Sequence, residues 1–264
     1  MTNDLVYIYC LTNRPPDLHE SMEFKGLKSL MFGDFYAVVK YVAESEFSEE
    51  NFKRNVSDLE WKASNSRNHV KVINRLMDQN TVLPFKFGTI YTGVENLKKF
   101  ISDYSDSLFE NFHLIEGTEE WGIKIYCDRK SLSEQIDELS EETAGLEKQI
   151  MASSPGKAFL LKRKKSELVE NEMDRFCKKC GQNYYEEFRK LGTSAILNNL
   201  LPKEFTGRED TMILNATFLV VKTKVDDFTN TVDKHRREDG ITGFFIETTG
   251  PGPPFSFVGM KENQ

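Results

Sequence analysis

The chain reads as an α+β protein of two domains, the second carrying a long α-helical hairpin. Three observations predict this. Compact runs of strand formers, such as Leu5 to Leu11 and Ile213 to Val221, stand near both ends. Two long central stretches repeat apolar residues at spacings of three and four, the period of an amphipathic helix. The second half reads as strand, long helices, strand, helix, strand, which suits helices on one side of a mostly antiparallel sheet. A length of 264 residues accommodates two such domains.

Taken in order, Leu5 to Leu11 is a buried strand, and Phe35 to Val42 is a second, with Ser29 to Phe32 pairing to it across Gly33-Asp34. A helix is expected from about Glu49 to Gln79, facing inward through Leu59, Ala63, Ser66, Val70, Ile73 and Met77. Thr81 to Tyr91 is strand-like but holds Pro84, which cannot donate to a ladder and so marks an edge strand, a bulge or a bend. Val94 to Phe109 is helical. Glu119 to Cys127 alternates, with Trp121, Ile123, Ile125 and Cys127 on one face, and opens the second domain. The boundary falls near Glu116 to Thr118, giving domains of residues 1–117 and 118–264.

Leu132, Ile136, Leu139, Leu146 and Ile150 then fall at heptad positions, with Thr143 filling the gap. Ser154 and Pro155 suit an N-cap and first helical position. A second helix follows to about Asn199, its stripe being Leu161, Val169, Met173, Phe176, Cys180, Tyr184, Phe188, Leu191 and Ala195. Together they make a helical hairpin over about 130–200. A short helix with Val225, Phe228, Val232 and His235 inward and a strand from Ile241 to Thr249 complete the domain, which ends in a Pro-rich tail.

A net charge of −7 lacks the basic excess of a nucleic-acid-binding protein. No apolar run reaches the roughly 18 residues that span a bilayer, and the N-terminus has no export signal, so a cytoplasmic location is expected. Four cysteines in a chain this long do not form a disulfide framework. Cys177-Lys178-Lys179-Cys180 has metal or redox spacing but no second ligand pair, and reads first as core or surface thiols. His69 borders its helix's apolar face and reads as a packing residue. Lys157 to Lys165 holds five bases, yet residues 128–192 balance 13 acids with 13 bases, so a solvated helix face is expected. Gly250-Pro251-Gly252-Pro253-Pro254 is no phosphate loop, because its prolines lack the N–H groups that cradle phosphate. It reads as a stiff turn delivering Phe255 and Phe257 to a fixed place.

Four segments in order resemble one family. They are His69 to Leu76 with Val82-Leu83-Pro84-Phe85-Lys86-Phe87-Gly88-Thr89; Glu120-Trp121-Gly122-Ile123-Lys124; Gly156 to Lys164; and Glu247 to Val258. The opening Val6-Tyr7-Ile8-Tyr9 also fits. Together they resemble the gas vesicle protein L/F family (GvpL/GvpF). Gly252 and Phe255 stand where that family usually has Trp and Tyr. The resemblance implies a ferredoxin-like second domain and an accessory or minor shell protein of gas vesicles, without catalysis or cofactor. The implied location is the cytoplasm and the gas vesicle. The implied partners are the main shell protein, GvpA, and other accessory proteins, with no nucleic acid and no membrane. The motif positions Pro84, Phe87, Gly88, Trp121, Gly250, Pro251, Pro253, Pro254 and Phe255 are candidate interaction residues, the Pro84 segment as a sheet edge and the tail as a rigid lip. A small-molecule enzyme on the same scaffold is the competing reading; it requires a pocket with convergent polar groups around His69 or His235.

Overall fold

Leu5–Thr12 forms strand β1, and all eight of its residues are buried. That explains a run with no polar alternation, since both faces are covered. Strands β2 (Lys28–Phe32) and β3 (Phe35–Val42) make the expected hairpin, with Phe32 opposite Phe35. β3 pairs antiparallel with β1, Leu5 opposite Val42, with an irregularity between Ile8 and Cys10. The structure, a computed structural model, describes residues 5–19, 24–133, 141–239 and 243–259.

The helix expected over residues 49–79 is two helices, α2 (Glu49–Val56) and α3 (Leu59–Met77), preceded by a short α1 (Glu44–Phe47). Two side chains start them. Ser48 accepts from the Asn51 amide and opens α2, and Asp58 accepts from the amides of Glu60 and Trp61 and so breaks the expected helix. The inner face of α3 also differs from the expected one. It is His69, Val72, Ile73 and Leu76, whereas Leu59 is 79% exposed and Val70 37%. A polar histidine holds a core position, and apolar periodicity does not count it.

The proline-interrupted run resolves into β4 (Val82–Pro84) and β5 (Ile90–Thr92), both antiparallel to β1. Helices α4 (Val94–Asp103) and α5 (Ser105–Ile115) follow, separated at Tyr104, and bury Leu97, Ile101, Leu108, Phe112 and Ile115. The first sheet runs β2-β3-β1-β4, with β5 also on β1.

The second sheet is built from β6 (Thr118–Cys127), β7 (Ser194–Leu197), β8 (Thr211–Val221) and β9 (Phe244–Gly252) in the order β7-β8-β6-β9. In chain order this is second, third, first, fourth, the ferredoxin-like arrangement. The hairpin helices α6 (Glu141–Met151) and α7 (Pro155–Arg189) stand between β6 and β7; α8 (Lys203–Thr206) and α9 (Val225–Asp239) follow β7 and β8. Leu146 and Ile150 of α6 are buried as expected; Ile136 and Leu139 lie outside the described residues. α7 ends ten residues before Asn199, and Ala195 sits in β7 opposite Phe218. Its buried stripe is Met173, Cys177, Gly181, Tyr184 and Phe188. Phe188, Phe218 and Phe228 are fully buried with ring centroids 5.7 to 6.1 Å apart, so aromatic packing forms the centre of this core.

The chain divides into two compact units. One takes Met1–Glu120 with Pro251–Gln264, and the other Trp121–Gly250. The tail expected to belong to the second domain therefore groups with the first unit.

Candidate interaction site

Between β4 and β5 the chain leaves the edge of the first sheet and returns. Phe85 N–H donates to the Tyr9 carbonyl at 2.9 Å, and Ile8 N–H donates to the Thr89 carbonyl at 3.1 Å. The residues between arch over the histidine of α3. His69 is 2% exposed, and its Nε2 lies 2.8 Å from the Phe85 carbonyl. A carbonyl only accepts, so Nε2 carries the proton and Nδ1 is the acceptor. The Tyr7 hydroxyl donates to that Nδ1 at 2.7 Å, and Gly88 N–H donates to the Tyr7 oxygen at 3.3 Å. The chain of bonds Gly88, Tyr7, His69, Phe85 thus satisfies four polar groups of the arch and its support. Burial pushes the His69 pKa down, against the opposing pull of the Phe85 carbonyl, and pushes the Tyr7 hydroxyl up. The imidazole is held neutral with both nitrogens committed, which suits a structural tie.

Aromatic rings surround this tie. Tyr9 stacks on His69 with centroids 5.2 Å apart, and Phe87 meets it edge-on at 5.9 Å. Phe87 also packs on Phe52 at 5.8 Å and Trp61 at 6.3 Å. The Phe255 ring of the tail lies 6.3 Å from His69. Two of the expected positions, Phe87 and Phe255, therefore meet at one histidine, and Gly88 is joined to it through Tyr7, with Pro84 leading into the arch opposite Cys10.

The tail is held by its own turns. Phe255 N–H donates to the Pro253 carbonyl at 2.7 Å, Phe257 N–H donates to that of Pro254 at 3.2 Å, and both prolines are buried. Glu120 takes Ser256 in a double grip, accepting from its amide at 2.8 Å and its hydroxyl at 2.9 Å. Burial raises the Glu120 pKa, and the Ser256 bonds lower it in part. Asn111 of α5 donates to the Gly259 carbonyl at 2.9 Å. A groove of about 390 Å³ runs between α5 and the tail, lined by Glu110, Leu114, Phe257 and Val258 among others. The tail is one wall of that groove.

The remaining expected positions lie elsewhere. Trp121 packs against Phe228 of the second core at 6.1 Å, and Gly250 takes a φ of +137° near the end of β9, just before Pro251. Far along the chain, around the α6–α7 joint, Met151 is 80% exposed, Phe159 71% and Leu160 66%. Residues 148–166 hold six bases and no acid. Among the described residues, Lys165 contacts Glu147 and Arg163 reaches Glu167 at 3.3 Å.

Sequence reasoning did not find Tyr7, Tyr9, Phe52 and Trp61 as parts of the His69 surround, or Glu120 as the anchor of the tail. Tyr7 and Tyr9 did carry a signal, since polar-tipped aromatics alternate within an otherwise apolar strand and need buried partners. Among the described residues, no group of three or more His, Cys, Asp or Glu side chains could hold a metal, and no helix is long and apolar enough to cross a membrane.

Comparison with solved structures finds the same fold. GvpF from an Anabaena species superposes with a TM-score of 0.73 at 18% identity, covering 98% of this chain and 100% of that one. GvpF from Microcystis aeruginosa gives 0.67 at 19%, covering 97% and 99%. Gas vesicle protein L of a Streptomyces species is 24% identical over 266 residues, 99% of this chain and 95% of that protein. Gas vesicle protein L of Haloferax mediterranei is 22% identical over 199 residues, 72% of this chain and 60% of that protein. The family profile "Gas vesicle synthesis protein GvpL/GvpF" matches residues 5–259, and the chain belongs to that family.

Proposed function

We propose that this protein binds the main gas vesicle shell protein, GvpA, and assists nucleation or formation of the vesicle. Family membership supports a gas vesicle role. The observation that carries the binding role is the α6–α7 joint. Single exposed apolar side chains are ordinary, but Met151, Phe159 and Leu160 are three large ones around one helix joint, each at least 66% exposed. They lie in or beside one of the four family-like segments. A very hydrophobic shell subunit must be kept from aggregating before it is added to the wall, and an exposed apolar patch rimmed by bases offers it a reversible partner. The half-buried Phe87 and Phe255 then serve chiefly to fix the arch and the tail wall, with the groove beside α5 as a second contact.

The test is co-expression of the tagged protein with GvpA and with an unrelated hydrophobic polypeptide. GvpA is expected to be retained selectively. The double variant Phe159→Asp/Leu160→Asp is expected to lose at least about tenfold in retention, as removal of a binding hot spot does, while circular dichroism shows an unchanged fold. Equal retention of both polypeptides, or full retention of GvpA by the folded variant, would overturn the reading.

A further inference from the structure

The first unit holds a cavity of about 280 Å³ between β1, the end of β3 and α3, walled by the rings of Tyr7, Tyr9, Phe47 and Phe87. The Tyr7 ring centroid lies 4.9 Å from that of Tyr9, 6.0 Å from Phe47 and 6.3 Å from Phe87. Tyr9 reaches this wall through a break in register. Ile8 faces Val39 and Cys10 faces Val38, so Tyr9 is an extra residue of β1 with no partner on β3. Such a bulge re-aims a side chain. Tyr9 is 6% exposed, yet its hydroxyl has no hydrogen-bond partner among the described residues, whereas the Tyr7 hydroxyl makes two bonds. A buried phenol normally finds a partner. Here the cavity is the open space it lines. Lys40, opposite Tyr7 in the ladder, lines the same cavity and has no ion-pair partner among the described residues. Glu46 lines it as well and accepts from Trp61 Nε1 on one oxygen at 3.1 Å. α3 adds Asn68 and Asn65, the latter with its Nδ2 committed to the Trp61 carbonyl at 2.9 Å. Lys40 and Glu46 are the two charged residues of the lining, one of each sign.

We infer that this cavity is a binding site for a free α-amino acid with an aromatic side chain, held as its zwitterion. A few polar groups converging on a ring-lined cavity are the ordinary make-up of a small-molecule site, and the volume suits a ligand smaller than a drug. The ligand carboxylate accepts from the Lys40 ammonium and the Tyr9 hydroxyl. The ligand ammonium donates to Glu46 and to the Asn65 side-chain oxygen. The ligand ring packs against the aromatic wall. One charge of each sign in the lining selects a ligand that carries both. A lone carboxylate would leave Glu46 facing an anion, and a lone amine would leave Lys40 facing a cation. Burial raises the Tyr9 pKa, so the hydroxyl keeps its proton and remains a donor. His69 stacks on Tyr9 with both of its nitrogens already bonded, so the imidazole offers the cavity no free nitrogen, and the site binds without turning its ligand over.

The full-length protein is titrated by calorimetry with L-phenylalanine, and with N-acetyl-L-phenylalanine and L-phenylalaninamide, which present only the carboxylate or only the ammonium, as a peptide terminus would. L-phenylalanine is expected to bind with a dissociation constant of about 1 mM or tighter, and each blocked form at least about tenfold more weakly. Tyr9→Phe keeps the ring and removes only the hydroxyl; Lys40→Met removes only the charge. Each is expected to weaken L-phenylalanine at least about tenfold with an unchanged circular dichroism spectrum. Asn68→Ala, at an exposed position of α3, gives a smaller loss and serves where a change on β1 or β3 costs the fold. Absence of saturable binding to the wild-type protein overturns the inference. So does a blocked form that binds as well as L-phenylalanine, or wild-type affinity in the folded variants.

Discussion

The ring of Phe52 fills the space that a side chain on Gly88 would need: a Cβ built there would lie 2.3 Å from the ring's tip. Gly88 also has a φ of +85°, where an L side chain is strained. Two separate costs therefore fall on Gly88→Ala. The left-handed backbone costs about 1–2 kcal/mol and the overpacking about 1–3 kcal/mol, so a loss of about 2–5 kcal/mol in chemical denaturation is expected. Adding Phe52→Ala is expected to remove the steric part alone, leaving a deficit from the backbone and the lost ring.

The neutral His69 makes the first unit sensitive to acid. Its folded pKa lies below the ordinary value of 6.5, so the unfolded chain binds the proton more readily. The stability it contributes is complete above 6.5 and is lost as pH falls through the folded value. Protonation would also turn Nδ1 from an acceptor into a donor facing the Tyr7 hydroxyl. Denaturant midpoints measured across that range are expected to fall with pH, and His69→Gln is expected to flatten the slope while lowering stability at neutral pH.

Glu120 anchors the tail from the start of β6. Both of its oxygens are engaged by Ser256, yet the pair is partly open to water, so the net worth is modest. Glu120→Ala is expected to cost about 1 kcal/mol. It should speed hydrogen exchange at the Ser256 and Phe257 amides relative to the β1 amides. Glu120→Gln keeps one acceptor and removes a partly buried charge, and should cost less.

Two glycines in the helical hairpin predict opposite outcomes for one substitution. In α7, a Cβ at Gly181 would lie 2.3 Å from the Ile213 carbonyl oxygen of β8, so Gly181→Ala forces helix and strand apart and destabilises the second unit by about 1–3 kcal/mol. In α6, a Cβ at Gly145 meets nothing within 4 Å, and Gly145→Ala is expected to stabilise by about 0.5–1 kcal/mol. Thermal melts of the two variants give shifts of opposite sign.

Strand positions and fold class were legible because they rest on short-range patterns. The all-buried run of β1, the Gly33-Asp34 hairpin and the strand–helix–strand order of the second unit each follow from nearest neighbours. What the sequence hid depends on partners far along the chain. The inner face of α3 is rotated because Tyr7, 62 residues away, makes His69 a core residue. Leu191 to Ala195 continued an apolar stripe, but β8 takes Ala195 as a strand residue. In the candidate site, the proline-rich turn and the Pro84 interruption were readable from residue type alone; their meeting at His69 was not.

The first unit is discontinuous in sequence. Its chain departs at Glu120 and resumes only at Pro251, after the entire ferredoxin-like unit has been made. During synthesis the second unit can therefore close on itself before the first is complete, reversing the usual order in which the N-terminal portion finishes first. Until the ribosome releases Phe255 and Ser256, the His69 surround lacks one of its rings and Glu120 lacks its partner. Phe255 and Ser256, reached only after the whole second unit, are thus the latch of the domain begun first.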